Sequence, residues 1–251
     1  MLFPVLTKAV ENEALWSAIA PYIRDQVPWL NDWARFAVRN SAQPQKIAGM
    51  FARAGGMPKR PEFAALELEL LRRLVIEDHV ADAIGYYRQL RGADPATLRT
   101  VAFTPGTTDS RFPPLSWELS TLTGATVGFE QAETGDRIQL NVRLDPGTSG
   151  LIARKVMIVA PGRYRFHADQ SLSADTGTAT AHWQLRCGAD YGRRLLWGSD
   201  VAVENAVKGT DGVIDVPADC PAVSLELQAS APPSGNGAEL LFASPDLARI
   251  G

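Results

Sequence analysis

Two spacings of apolar residues divide this chain. Up to Asp94 they recur every three to four positions, as on one face of a helix. From Glu11, the residues Leu15, Ile19, Tyr22 and Ile23 share such a face. Trp29, Trp33, Phe36 and Ala37 continue the pattern behind Pro28, a residue suited to a helix start, and Asn40-Ser41 ends it. Pro44 opens a further helix through Ile47, Met50 and Phe51. Gly55-Gly56 stops it, and the segment 57–61 reads as a stiff connector. The strongest helical pattern, 62–77, sets Leu66, Leu70, Leu71 and Leu74 in one stripe with charges opposite. Asp78 is placed to cap the next helix, which ends at Gly92. These last two helices are expected to form an antiparallel hairpin of the kind that stacks in repeat arrays, although no fixed period runs through the chain. Trp16, Trp29 and Trp33 fit helix packing better than a ligand cage.

Beyond Asp94-Pro95 the spacing changes to two. Short segments at 116–119, 125–130, 137–144, 178–187, 193–198, 213–216, 223–229 and 238–243 read as strands, with Gly, Pro, Asp, Asn and Ser between them. Leu151 to Asp169 reads as a hairpin turning at Pro161-Gly162, with Val156, Ile158, Tyr164 and Phe166 towards the core. The expected architecture is therefore an α+β chain of two domains. Residues 1–95 form helical, repeat-like hairpins, 96–112 a turn-rich linker, and 113–251 an antiparallel β-sandwich. The length of that third segment suits a jelly roll better than an immunoglobulin-type sandwich.

Composition narrows the function classes. Apolar residues make up 45% and charged ones 21%, ordinary for a globular protein. The net charge of -3 argues against a nucleic-acid partner held through phosphates. No apolar run approaches the roughly 20 residues of a membrane-spanning helix. The opening MLFPVLTKAVENEALW does not read as a signal peptide, which leaves a cytosolic protein or a trimmed piece of an exported one.

The order of several short motifs carries a resemblance. PPLSWEL (Pro114, Trp117), APGRYRF (Pro161, Gly162, Tyr164), HWQLRC (Trp183, Cys187) and VPADCPAVSLEL (Pro217, Cys220) follow a helical hairpin. Together, over roughly residues 60–245, they resemble the C-terminal region of bacterial, mainly proteobacterial, proteins that join tetratricopeptide-like helices to a jelly-roll domain similar to carbohydrate-binding modules. The resemblance implies an envelope or secreted protein, and an extracytoplasmic, periplasmic location. It also implies a Cys187–Cys220 disulfide, against the alternative of two buried thiols in a reducing compartment.

Such a domain would bind sugar on aromatic platforms. The candidates are Trp183, Tyr191 and Trp197, with Asp190, Arg193 and Asn205 as polar neighbours in sequence. Trp183 stands in an alternating strand and faces either core or solvent, and Trp117 has the same ambiguity. Catalysis finds no constellation. Among Glu118, Glu130, Asp136, Asp145, Glu204 and Asp215 no pattern singles out a hydrolytic pair. There is no G-x-S-x-G and no phosphate-cradling glycine fingerprint. His167 and His182, on strands that could share a sheet face, lack further ligands at metal spacing. Neither metal nor cofactor is expected. The reading is a non-catalytic binding or scaffold protein of the bacterial envelope, with a polysaccharide or an envelope protein as partner. The alternatives are a protein-interaction module using the helical surface, and a divergent glycan-processing enzyme.

Overall fold

The computed structural model describes residues 2–132, 137–173, 179–188, 194–203, 206–220 and 222–250. It divides into two compact units, Met1–Asp94 and Pro95–Gly251.

The first unit is helical: α1 (Phe3–Val10), α2 (Trp16–Arg24), α3 (Leu30–Asn40), α4 (Pro44–Ala54), α5 (Pro61–Ile76) and α6 (Val80–Tyr87). Proline stands in the first turn of α1, α4 and α5, where its missing N–H is no loss. Gly55 ends α4 in the left-handed conformation. Alternate helices pack together, α1 on α3, α2 on α4, α3 on α5 and α4 on α6, with α5 also against α6. The interior holds Trp33, Phe51, Phe63, Leu70, Leu71 and Leu74, all fully buried. Two details depart from expectation. α1 precedes the first predicted helix. Asp78 does not cap α6, because its own φ is +67° and His79 takes the cap position without a side-chain bond.

The second unit is a sandwich of two antiparallel sheets. The front sheet runs β1 (Glu118–Leu119), β4 (Ser149–Ile158), β9 (Ala222–Ser230), β6 (Ala179–Cys187), β7 (Leu195–Val203). The back sheet contains β2 (Ala125–Gln131), β3 (Ile138–Leu144), β5 (Gly162–Leu172), β8 (Lys208–Val216), β10 (Ala238–Phe242) and β11 (Asp246–Arg249). Its order is β2-β3-β10-β5, with β8 on the far side of β5 and β11 beside β10 on the near side.

The pairing explains the topology. β3 pairs with β10, β4 with β9, β5 with β8 and β6 with β7. One long antiparallel ribbon is thus folded over itself into two sheets, which is a jelly roll. The segment from Leu151 to Asp169 is therefore not a hairpin. β4 and β5 are consecutive rungs of the ribbon, and the chain crosses from front to back sheet between Ile158 and Gly162. The side chains on β4 differ accordingly. A bulge between Leu151 and Ala153 sets Ala153, Lys155 and Met157 inward opposite Leu227, Leu225 and Val223. Val156, fully buried, and Ile158 fall on the opposite side of the strand from the sandwich core, whereas Tyr164 and Phe166 on β5 do enter that core.

The stretch expected as a linker, 96–112, belongs to this unit. Val101 and Phe103 join the sandwich core, and the Trp117 indole donates to the Val101 carbonyl at 3.1 Å. The Phe103 N–H is held by Ser244 Oγ at 2.8 Å. A 3-10 turn at Pro95–Arg99 packs on β4.

Candidate functional site

Strict alternation on β6 makes the site. Ala181, Trp183, Leu185 and Cys187 are buried, while Thr180, His182, Gln184 and Arg186 line the outer face of the front sheet. The register sets His182 between Gln228 on β9 and Asp200 on β7. Thr180 stands opposite Ser230, which in turn pairs with Ser149 on β4. These residues enclose an open cleft of about 260 Å³. Gly198 stands opposite Gln184 on β7, and a Cβ added there would meet the ring of the lining residue His182 at an ordinary 3.5 Å.

A chain of polar contacts orients the cleft. Ser224 Oγ donates to Glu226 Oε1 at 3.3 Å, and Arg186 Nε lies 3.4 Å from Glu226 Oε2. Arg186 Nη2 donates to Gln184 Oε1 at 2.7 Å, which turns the amide Nε2 towards His182 Nε2. The other ring nitrogen, Nδ1, faces Asp200 Oδ1. Glu226 is 2% exposed, so the inner end of the chain is anchored away from water while Asp200 stands in solvent. Further along the same face Arg154, 1% exposed, donates to Glu118 Oε2 at 2.6 Å. The outer face is thus closed near β1 and β4 and open over β6, β7 and the end of β9.

The aromatic residues named from sequence do not meet here. Trp183 is fully buried between the sheets, edge-on to Phe242 at 6.0 Å and Trp117 at 6.4 Å. It is a core residue, not a platform. Trp197 is half-buried on the inner side of β7, 5.0 Å from the Phe166 ring. It lies directly over Gly212, where an added Cβ would come within 2.4 Å of the indole. It therefore faces away from the cleft. Tyr191, Asp190, Arg193 and Asn205 lie outside the described residues. The polar residues of the cleft carried one sequence signal, the run of polar side chains at every second position of β6.

His167 and His182 occupy different sheets, so they share no face. On the back sheet, His167 sits between Asp211 (Nδ1 to Oδ1, 3.0 Å) and Asp169 (Nε2 to Oδ1, 3.4 Å). The hydrogen bond to Asp211 is the largest cause raising its pKa above the ordinary histidine value. Among the described residues no group of three or more His, Cys, Asp or Glu could hold a metal ion. Cys187 and Cys220 stand as a bonded pair with Cα atoms 5.5 Å apart, tying the end of β6 to the entry of β9.

No protein-family model matches the chain, and no curated protein matches it by sequence. The proteobacterial and tetratricopeptide-like parts of the resemblance thus find no relative behind them. Among solved structures the chain is similar to carbohydrate-binding modules. A CBM4 domain matches at 12% identity over 59% of this chain and 99% of its own, TM-score 0.44. TmCBM61 in complex with β-1,4-galactotriose matches at 13% over 59% and 99%, TM-score 0.41. The CBM22-1 xylan-binding domain from Paenibacillus barcinonensis Xyn10C matches at 17% over 61% and 96%, TM-score 0.39. All three scores are low. The jelly-roll assignment rests on this chain's own strand pairing, and what those domains bind is said of them alone.

Proposed function

We propose that the second unit is a non-catalytic binding module for a neutral polysaccharide, held on the outer face of the front sheet. The observation that carries this reading is the cleft's lining. Hydroxyls (Ser149, Thr180, Ser230), amides (Gln184, Gln228), an imidazole and one carboxylate offer donors and acceptors together. Sugar hydroxyls are donors and acceptors in equal measure, whereas a charged ligand would call for one sign of charge. At about 260 Å³ the cleft lies below the roughly 300–1,000 Å³ that encloses a drug-sized ligand. It suits one unit of a longer chain lying across the open strands. Asp200 is the single carboxylate among the described lining residues, so two-carboxylate glycoside hydrolysis finds no support there. A Cys187–Cys220 disulfide persists in oxidising compartments, and the envelope would be such a compartment.

The test is retardation in affinity gels containing neutral (glucan, xylan, galactan) or acidic (pectate, alginate) polysaccharides. Gly198→Val, which crowds the His182 ring of the cleft lining and meets no positive-φ backbone, should weaken binding by at least about tenfold, and Asp200→Ala should weaken it measurably. Trp197→Ala should leave it intact. Retention of binding in Gly198→Val together with its loss in Trp197→Ala would overturn the assignment, as would no retardation in any gel.

A further inference from the structure

The helical unit contains a second recess, unconnected with the carbohydrate reading. It lies between α4 and α6 and measures about 190 Å³. Ala48 and Ala52 on α4 and Gly85 on α6 are among its lining residues, where larger side chains would have filled the gap between the helices. Four polar side chains line it: Gln45, Asp82, Tyr86 and Gln89, whose amide nitrogen donates to the Gly85 carbonyl at 3.2 Å.

Two of these are unsatisfied. Tyr86 is 4% exposed, yet its hydroxyl has no hydrogen-bond partner, and the buried Gln45 Oε1 has none either. Buried polar atoms of this kind are rarely left unmade, because each forfeits its hydration with no return. Gln45 Oε1 can only accept, and the Tyr86 oxygen can accept as well as donate, so a donor entering the recess serves both. The surroundings are electronegative as well. Asp82 stands at the rim, no basic side chain lines the recess among the described residues, and Glu67 on α5 adds to burial in raising the Tyr86 phenol well above its ordinary pKa.

We propose that this recess takes an arginine side chain of a partner polypeptide. The guanidinium carries five N–H donors and no acceptor, so it can serve the Gln45 carbonyl, the Tyr86 oxygen and the Asp82 carboxylate at once. An ammonium has three donors around a single nitrogen and matches so spread a set less well. The aliphatic stem lies over Ala48, Ala52 and Gly85, as stems of basic residues do on apolar surface. The volume is that of one side chain and not of a whole ligand, which assigns the remainder of the occupant to a polypeptide running outside the recess.

The test uses the full chain and three peptides, Ac-Ala-Ala-X-Ala-Ala-NH2, where X is arginine, citrulline or lysine, titrated by NMR. Citrulline keeps the shape and loses the charge. Arginine should bind at least about tenfold more tightly than citrulline, and more tightly than lysine. Asp82→Asn should reduce arginine binding by about tenfold, and Gly85→Leu should abolish it. A Cβ at Gly85 meets nothing within 4 Å and replacing glycine improves helix propensity, so that variant should fold, and thermal melts check this for both. Equal binding of citrulline and arginine, undiminished arginine binding in Gly85→Leu, or no shift at the peptide's solubility limit would each overturn the proposal.

Discussion

Lys155 should make the β-sandwich more stable in alkali than at neutrality. This lysine sits on β4 pointing inward between Ala153 and Met157, fully buried, with Nζ donating to the Leu115 carbonyl. Burial lowers its pKa from 10.5 to about 7. Between those values the unfolded chain holds a proton that the folded chain has shed. Stability from this group is fully present above the unfolded pKa and is lost as pH falls towards the folded one. The slope is about 1.4 kcal/mol per pH unit, and the whole interval amounts to roughly 5 kcal/mol.

Lys155→Met keeps length and apolar stem while removing the charge. It also leaves the Leu115 carbonyl without its donor, at about 1–3 kcal/mol. At pH 7 the variant should therefore be the more stable protein by about 2 kcal/mol. By pH 9.5 the wild type should have recovered about 3 kcal/mol and drawn level or passed it. Urea denaturation followed by tryptophan fluorescence, at fixed ionic strength from pH 7 to 9.5, measures both. The difference between the two proteins is the diagnostic quantity, since every other titrating group cancels from it. Parallel stability curves would refute the reasoning, because they would mean that Lys155 keeps its proton in the fold or reaches water.

Two further predictions follow from the same core. Trp183→Ala should cost about 3–5 kcal/mol in urea denaturation, and Trp197→Ala distinctly less, because the first ring is enclosed on all sides and the second only on one. The disulfide closes a loop with a sequence separation of 33, for which chain entropy gives about 4 kcal/mol. Intact mass should therefore rise by two hydrogens on denaturing reduction. Cys220→Ala should lower the denaturation midpoint of the sandwich, and an unchanged mass on reduction would dispose of the bond.

The elements of the fold were largely legible, because period and punctuation are local. Leu66, Leu70, Leu71 and Leu74 do form the buried stripe of α5, and the alternation in β3 and β6 does separate core from surface. What escaped was set by partners distant in sequence. Lys208 to Gly212 is built of turn formers and reads as loop, yet it is strand because β5 supplies its hydrogen bonds. β11 is too short to announce itself and depends on the same neighbour. The hairpin reading at Pro161-Gly162 failed for a related reason. A turn between two strands fixes that the chain reverses, and a reversal within one sheet looks the same locally as a step between two. Only the pairing of β4 with β9 and β5 with β8 decides between them.

The cleft shows the limit more sharply. The alternation of β6 already put Thr180, His182, Gln184 and Arg186 on one face, and a row of polar residues on a strand usually means nothing more than solvent. What makes this row a candidate site is register. His182 acquires a role because β7 brings Asp200 beside it, and Gln184 because the buried Glu226 on β9 holds the arginine that orients its amide. β6 and β9 pair only because the ribbon is rolled up, so the jelly roll itself assembles the network. Trp183 and Trp197 drew notice by the opposite route. Their size attracts notice in a sequence, and that same size is what the interior of a sandwich takes up first. In a chain of this kind, moderately polar residues at every second position deserve the first search for a binding face, and the largest aromatic residues the last.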